Sequence, residues 1–163
     1  FFLEPTLLYR APADARIRSR VFSPDTTRAV RSMMRLVVAH PDGTGNLAEA
    51  RGYMVGGKTG TSEKVRPEGG YFKDRNIASF VATFPVHEPK YVLAIMVDDP
   101  KGQKKSYYKT TGGWVAAPAA KEIIRHAAPM LRIHPVDEKA PEIRQKLWLD
   151  FKIGKGEMAL ASY

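Results

Sequence analysis

The sequence predicts an α+β domain in which an antiparallel sheet is flanked by helices, and three observations support this fold class. An amphipathic helical pattern comes first, three strand-like runs follow it, and a second long helical pattern follows the strands. The connection between the second and third runs is short enough for a hairpin, so these strands are expected to be antiparallel neighbours. Helices before and after such a sheet bury their apolar stripes against it.

The first helix is predicted to begin after Ser23 and to continue through about Ala39. Ser23 suits the N-cap position, and Pro24 suits the first helical position, where a missing N–H costs little. Residues 41–45, Pro-Asp-Gly-Thr-Gly, are expected to end this helix, and a short helical segment is expected at residues 46–50. The expected apolar stripe recurs at a spacing of three to four residues: Val30, Met33, Met34, Val37 and Val38.

Three strands are predicted after Gly52, where the pattern stops being helical. They cover residues 53–61, 76–84 and 91–98. A polar loop with a Gly-Gly pair is expected at residues 62–75, between the first two strands.

The second long helix is predicted at residues 114–131, after a basic, glycine-containing loop at residues 99–113. Pro118 is expected in its first turn, where proline is tolerated, and Pro129 is expected to weaken its end.

The two ends of the chain differ from this central pattern. Residues 1–10 are apolar and strand-like, with no initiating methionine, and residues 16–22 alternate like an exposed strand. The main domain is therefore expected to cover residues 1–131. Residues 132–163 are rich in charge and are expected to form a C-terminal extension or docked tail, with an amphipathic patch at residues 143–153.

The composition narrows the classes of function. The formal net charge is +9, from 26 Lys and Arg against 17 Asp and Glu, which favours anionic neighbours. The basic residues are dispersed, however, and no nucleic-acid motif accompanies them, so no nucleic-acid partner is expected. The chain has no cysteine, which excludes disulfides and a thiol nucleophile. Its four histidines are far apart in the sequence, and neither a metal nor another cofactor is expected.

The segment Gly-Gly-Lys-Thr-Gly-Thr at residues 56–61 carries the chemical information. Together with Gly52 it formally matches the phosphate-binding pattern G-x-x-x-x-G-K-[ST]. That site also needs a buried strand before the first glycine and a helix after the lysine, and the flanking residues favour neither. An NTPase is therefore the less favoured interpretation.

The same residues are well suited to a substrate-binding strand. Gly60 has no side chain, so an extended ligand can approach its backbone closely and pair with it as an added strand. Thr59 and Thr61 lie two residues apart and project from one face of the strand. Their hydroxyl groups can bind a carboxylate, and Lys58 supplies positive charge beside them.

With its surroundings, this segment resembles the class B penicillin-binding proteins. The matching features, in the family's order, are a helix followed by Gly-Thr-Gly at residues 43–45, the Lys-Thr-Gly-Thr strand, the strand beginning Ile-Ala-Ser-Phe-Val at residue 77, Asp-Asp-Pro-Lys-Gly at residues 98–102 and Gly-Gly-Trp at residues 112–114. The resemblance covers roughly residues 5–131 and is strongest to transpeptidases of cell division or elongation. It implies the C-terminal half of a β-lactamase/transpeptidase-like domain.

The resemblance implies roles for individual residues. Lys58 would orient a polar network formed with a second motif, and Thr59, Gly60 and Thr61 would bind the substrate. The backbone N–H of Thr61 would form half of an oxyanion hole, where a preorganised donor stabilises the transition state by about 3–4 kcal/mol.

Two motifs that the family needs for catalysis are absent from these 163 residues. The nucleophile belongs to a Ser-x-x-Lys motif that precedes the Lys-Thr-Gly strand, with a Ser-x-Asn motif between them. No Ser-x-Asn sequence occurs. One Ser-x-x-Lys sequence occurs, from Ser106 to Lys109, but it follows the Lys-Thr-Gly strand in a loop that is expected to be flexible. It is therefore interpreted as a chance match to the motif. The chain is therefore expected to be inactive alone and to need an upstream half of the same domain.

The resemblance also implies the activity, partners and location of the intact protein. It would be a serine-type peptidoglycan D,D-transpeptidase that acts on D-Ala-D-Ala stem peptides, is acylated by β-lactam antibiotics and works with division or elongation proteins. It would act in the cell envelope, on the outer face of the inner membrane, with its anchor outside this chain. The alternatives are a β-lactam hydrolase or D,D-carboxypeptidase and a non-catalytic sensor or interaction module with the same fold.

Overall fold

A computed structural model of the chain describes residues 2–3 and 17–147. Strands β1 (Phe2–Leu3) and β2 (Ile17–Ser19) pair antiparallel, and β2 lies within the strand predicted at residues 16–22. The remaining predicted strand residues at 4–10, and the amphipathic patch beyond residue 147, lie outside the described residues. The other elements are α1 (Pro24–Ala39), β3 (Gly56–Val65), β4 (Tyr71–Phe84), β5 (Tyr91–Asp98), α2 (Gly112–Met130), α3 (Pro141–Lys146) and short 3₁₀ helices at Asn46–Ala48 and Lys104–Ser106.

The predicted fold class is confirmed by a three-stranded antiparallel sheet with the order β3-β4-β5 and helices packed against it. On β4, alternate residues from Ala78 to Phe84 are buried against α2. The facing residues of α2 are mostly alanines, which lets the helix lie close to the sheet. The buried residues of this interface are Ala78, Phe80, Ala82, Phe84, Ala116, Ala117, Ala120 and Ile124.

Helix α1 has the predicted ends but a different buried face. The Ser23 Oγ accepts a hydrogen bond from the Thr26 backbone N–H at 3.0 Å, as expected of an N-cap. The expected apolar stripe is wrong in part, because Val30 and Met33 are 44% and 55% exposed. The buried face instead contains Ser32, Arg35 and Val38, and it can hold Arg35 because that side chain meets carboxylates.

The loop predicted at residues 62–75 is wrong, since most of it continues the two strands. Pairing of β3 with β4 extends to Glu63 opposite Asn76 and, after an irregularity, to Val65 opposite Tyr71. Residues 62–75, which comprise the paired ends of β3 and β4 and the turn between them, are called the ribbon. Gly69 and Gly70 have φ values of +100° and +77°, which permit the tight turn at its tip. Both faces of such a ribbon are solvated, which explains its polar composition.

Helix α2 begins two residues earlier than predicted, and this places Pro118 in its second turn rather than its first. The early start depends on Gly112. A Cβ atom there would overlap the carbonyl oxygens of Ser79 and Gly60, so only glycine lets the end of the helix lie directly against the sheet. The predicted loop before α2 also contains the short helix Lys104–Ser106.

The chain continues after α2 along the base of β3. Ile143 and Leu147 are buried in a small second cluster with Met54 and Val86. The Val136 backbone N–H donates to the Gly52 carbonyl oxygen at 2.9 Å. Within the described residues, no helix is both long and apolar enough to cross a membrane.

Candidate functional site

Strand β3, which carries the predicted site residues, is an edge strand of the three-stranded sheet. It pairs with β4 on one side only within the described residues, with Lys58 opposite Val81 and Gly60 opposite Ser79. Lys58 and Thr61 are exposed and Gly60 is half-buried. An extended ligand can therefore reach the strand at the predicted residues.

Thr59 meets a residue for which the sequence predicted no role. Its hydroxyl lies 2.9 Å from the hydroxyl of Thr44, in the Gly-Thr-Gly segment that follows α1. When one hydroxyl donates to the other, the hydrogen of the acceptor remains free for another partner. This pair can therefore donate one hydrogen bond to a ligand.

Thr61 faces the beginning of α2. The backbone N–H of Gly112 donates to the Thr61 Oγ1 at 3.1 Å, so the Thr61 hydroxyl is an acceptor in this contact and its own hydrogen stays available. The N-terminus of a helix also carries a partial positive charge that favours anions. Together the two threonines offer hydrogen-bond donors beside a positive helix end, an arrangement suited to a carboxylate.

Lys58 supplies the positive charge expected beside these hydroxyls. Its Nζ donates to the carbonyl oxygen of Thr59 at 2.7 Å, and the side chain is exposed. The ammonium group can therefore turn toward a ligand or another polar group at low cost.

The segment before α2 stabilises this end of the helix. The Asn76 side chain donates to the Thr110 backbone oxygen at 3.3 Å and to its hydroxyl at 3.2 Å. Lys109 Nζ lies 4.6 Å from the centre of the Trp114 ring, and the Tyr107 ring meets the same indole edge-on at 5.5 Å. These contacts connect β4 to the first turn of α2, which forms one side of the site.

The Ser-x-x-Lys sequence that was interpreted as chance begins in the short 3₁₀ helix Lys104–Ser106, within the predicted loop. Ser106 is buried, and its Oγ contacts the backbone oxygen and N–H of Gln103 at 3.1 and 3.3 Å. Lys109 directs its ammonium group onto Trp114 instead. The serine and the lysine therefore make separate contacts, and Ser106 acts as a cap of its own turn.

Sequence reasoning assigned no role to Thr44 or Gly112, although both belong to glycine-containing segments that it had singled out. The available signal for Gly112 was the Gly-Gly pair at residues 112–113, next to the predicted beginning of a helix, because glycine permits close backbone contact. No group of three acidic or histidine side chains arranged for a metal occurs in the part of the chain that the structure describes.

Comparison with known proteins identifies the family of the chain. Residues 5–125 match the family model described as the penicillin binding protein transpeptidase domain. The chain is 40% identical over 138 residues to the "Probable peptidoglycan D,D-transpeptidase FtsI" of Caulobacter vibrioides, covering 80% of this chain and 23% of that protein. It is 38% identical over 136 residues to the stage V sporulation protein D of Bacillus subtilis, covering 83% of this chain and 19% of that protein.

Solved structures show the same similarity. The apo transpeptidase domain of penicillin-binding protein 3 from Burkholderia pseudomallei matches with a TM-score of 0.69 and 35% identity, over 83% of this chain and 39% of that one. Penicillin-binding protein 3 from Mycobacterium tuberculosis, complexed with ampicillin, matches with a TM-score of 0.63 and 28% identity, over 82% of this chain and 31% of that one. The chain thus belongs to the penicillin-binding protein transpeptidase family, and it spans less than a quarter of the length of either curated relative.

Proposed function

We propose that this chain supplies the substrate strand of a peptidoglycan D,D-transpeptidase, a serine acyltransferase of the cell envelope. The observation that carries the proposal is the pair of threonines on β3. The Thr44–Thr59 hydroxyl pair and the Thr61 hydroxyl each keep one hydrogen free for a ligand, beside the N-terminus of α2. A terminal carboxylate is the ligand that this arrangement fits, and the D-Ala-D-Ala stem peptide ends in one.

The proposed mechanism divides the work among four groups. The unpaired edge of β3 pairs with the extended substrate at Gly60, and this pairing positions the scissile carbonyl. Thr59 and Thr61 bind the terminal carboxylate. The Thr61 backbone N–H stabilises the negative charge that develops on the carbonyl oxygen, and Lys58 orients polar groups around the nucleophile. β-Lactams would enter the same site because they also carry a carboxylate next to an acylating carbonyl.

The relatives support this assignment by what they are named for. One relative is named a probable peptidoglycan D,D-transpeptidase and another a stage V sporulation protein. Two similar solved structures are of penicillin-binding protein 3, one complexed with ampicillin and one with aztreonam. We propose that the nucleophilic serine and the second motif come from a longer protein that contains this chain. Its partners would be the stem peptide, β-lactams and proteins of division or elongation, and its site of action the outer face of the inner membrane.

The decisive experiment is acylation by a fluorescent penicillin, followed by denaturing electrophoresis. The longer protein is expected to be labelled, and the 163-residue chain alone is expected not to be. In the longer protein, Lys58→Ala is expected to reduce the acylation rate by about 100-fold, because the acid–base groups that Lys58 would orient at the nucleophile typically contribute at least that much.

Lys73→Ala is the matched control, because Lys73 is an exposed lysine on the ribbon part of β4. It is expected to leave labelling unchanged. Equal labelling of Lys58→Ala and wild type would refute the role of Lys58. Covalent labelling of the 163-residue chain by itself would instead return Ser106 to consideration as a nucleophile.

A further inference from the structure

Arg35 is a charged residue in the interior whose role the proposed mechanism leaves open. Its side chain is 1% exposed. Nε and Nη2 donate to the two carboxylate oxygens of Glu138 at 2.7 and 2.8 Å, a bidentate pair. Nη1 lies 2.7 Å from a carboxylate oxygen of Glu49 and donates to the Val55 carbonyl oxygen at 2.7 Å. One guanidinium group therefore joins α1, which carries Arg35, to three other segments of the chain.

The electrostatics of this junction favour the charged arginine. Burial alone opposes the charge, but the hydrogen bonds and negative charges of Glu138 and Glu49 outweigh it and raise the pKa of Arg35 above its ordinary value. The guanidinium fork is planar and rigid, so it fixes the direction of each partner as well as its distance. Arg35 is buried, whereas the side chains of Glu138 and Glu49 are 41% and 27% exposed. Even fully buried ion pairs contribute little net stability compared with apolar packing, and in some proteins they instead select one register or conformation.

Two of these contacts lie at the base of the substrate strand. Val55 immediately precedes β3 and is three residues from Lys58. Glu138 belongs to residues 133–147, which we name the C-terminal segment. That segment also hydrogen-bonds Gly52 through Val136 and packs Ile143 and Leu147 onto Met54.

The space around the base of β3 leaves little room for adjustment. A Cβ on Gly56 would lie 2.6 Å from Val86 Cγ2 and 3.4 Å from the Arg35 backbone nitrogen. Val86 in turn donates its N–H to the Met54 carbonyl oxygen at 2.7 Å. A shift of the C-terminal segment or of Arg35 therefore displaces the beginning of β3.

We propose that Arg35 and Glu138 are positioning residues, through which the C-terminal segment holds the Lys-Thr-Gly-Thr strand in its reactive position. This inference rests on the proposed transpeptidase function. It assigns a role to residues 133–147, which belong to the predicted C-terminal extension or docked tail, and it adds two residues that touch neither substrate nor nucleophile. Displacement of the strand by about 1 Å is enough to cost up to 100-fold in rate.

The test compares Glu138→Gln with Glu142→Gln in the longer protein. Glu138→Gln keeps the shape of the side chain but removes the charge that faces Arg35. Glu142 is an exposed acid of α3 and provides the matched control. The rate of acylation by a fluorescent penicillin is measured over a range of penicillin concentrations, well below the melting temperature of every variant.

For Glu138→Gln we expect the limiting acylation rate to fall about 10-fold, as displacement of a positioned strand predicts, with a smaller change in the half-saturating concentration. Glu138→Asp, which retains the charge on a shorter side chain, is expected to recover part of the rate, and Glu142→Gln to match wild type. Amide hydrogen exchange at residues 56–61 is expected to be faster in Glu138→Gln.

Each other outcome has a separate meaning. A lower melting temperature with unchanged acylation and unchanged exchange at residues 56–61 would overturn the positioning role and leave only a structural one. If the wild-type longer protein is not acylated at all, the proposed function fails. In that case the exchange measurement still decides whether Glu138 restrains β3, and unchanged exchange overturns the inference.

Discussion

At the scale of single residues, the proposed site depends on backbone groups as much as on side chains. Gly112 donates its N–H to Thr61 and lies against Gly60 and Ser79, so a glycine determines how close α2 comes to β3. The sequence predicted Lys58, Thr59, Gly60 and Thr61 as site residues by resemblance, and their chemical roles stay predictions. The sequence could not show the contacts of Gly112, because its partner residues are more than thirty positions away in the chain.

Gly112→Ala tests this contact. The added methyl group would overlap two carbonyl oxygens, so α2 must move away from β3, and the free energy of unfolding is expected to fall by about 2 kcal/mol, within the range for overpacked sites. Acylation of the longer protein is also expected to fall. Urea unfolding and penicillin labelling measure the two effects.

Gly69→Ala serves as the comparison for that substitution. No atom lies within 4 Å of a Cβ at Gly69, and only its φ of +100° is unfavourable for alanine. A cost of about 1 kcal/mol from backbone strain is expected, with acylation unchanged. If both variants label like wild type, close contact at Gly112 is not needed for the site.

At the scale of secondary-structure elements, the ribbon formed by the ends of β3 and β4 is the main departure from the sequence prediction. Polar residues and a Gly-Gly pair are typical of loops, and single-sequence patterns cannot distinguish a loop from a ribbon solvated on both faces. The ribbon is held partly by side chains. The Phe72 ring contacts both Arg66 and Arg75, whose guanidinium carbons are 5.2 and 5.0 Å from its centre.

Phe72→Ala is expected to loosen the ribbon without affecting the rest of the sheet. Two exposed cation–π contacts together stabilise by about 1–2 kcal/mol, and this energy is local. Amide exchange at residues 64–73 is therefore expected to accelerate, while exchange in α2 stays the same. Tyr71→Ala, an exposed aromatic neighbour on the same strand, is the control. Equal protection of the ribbon in wild type and Phe72→Ala would exclude a role for the stacked ring.

At the scale of the whole molecule, the C-terminal segment and the turn before β5 meet around a buried histidine. His87 is 7% exposed, and its Nδ1 has no hydrogen-bond partner within the described residues. Burial lowers the pKa of His87, and the nearby positive charges of Lys146, Arg31 and Lys90 lower it further, while Glu88 opposes them. The folded protein therefore resists protonation of His87 more strongly than the unfolded chain does.

This shift predicts how stability depends on pH. The pKa of His87 is lower in the folded state, so its full contribution is present above the unfolded value of about 6.5 and is lost as pH falls from there toward the folded value. We expect the urea midpoint of the chain to be lower at pH 5.5 than at pH 7.5. The carboxyl groups of Glu88 and Asp99 also have lowered pKa values, but theirs start from 4.5 and 3.8 and act below this window.

His87→Gln is expected to reduce the difference between the two midpoints, because glutamine does not titrate. His126→Gln is the control, since His126 is an exposed residue of α2. A midpoint difference that is the same in wild type and His87→Gln would show that His87 does not cause it.

The amino-acid sequence was sufficient for the fold class, the ends of α1, the order of the strands and the family. These features follow from local signals: Ser23 and Pro24 begin a helix, alternation and turns delimit strands, and Lys-Thr-Gly-Thr is contiguous. Only the tertiary structure revealed Thr44 beside Thr59, Gly112 against Gly60 and the junction at Arg35. Arg35 and Glu138 are 103 positions apart in the sequence. The sequence around an arginine does not show that it is buried, because the carboxylates that pair with it come from distant parts of the chain. Long-range pairing of charges and close contact of backbones depend on how elements pack, which local patterns do not contain.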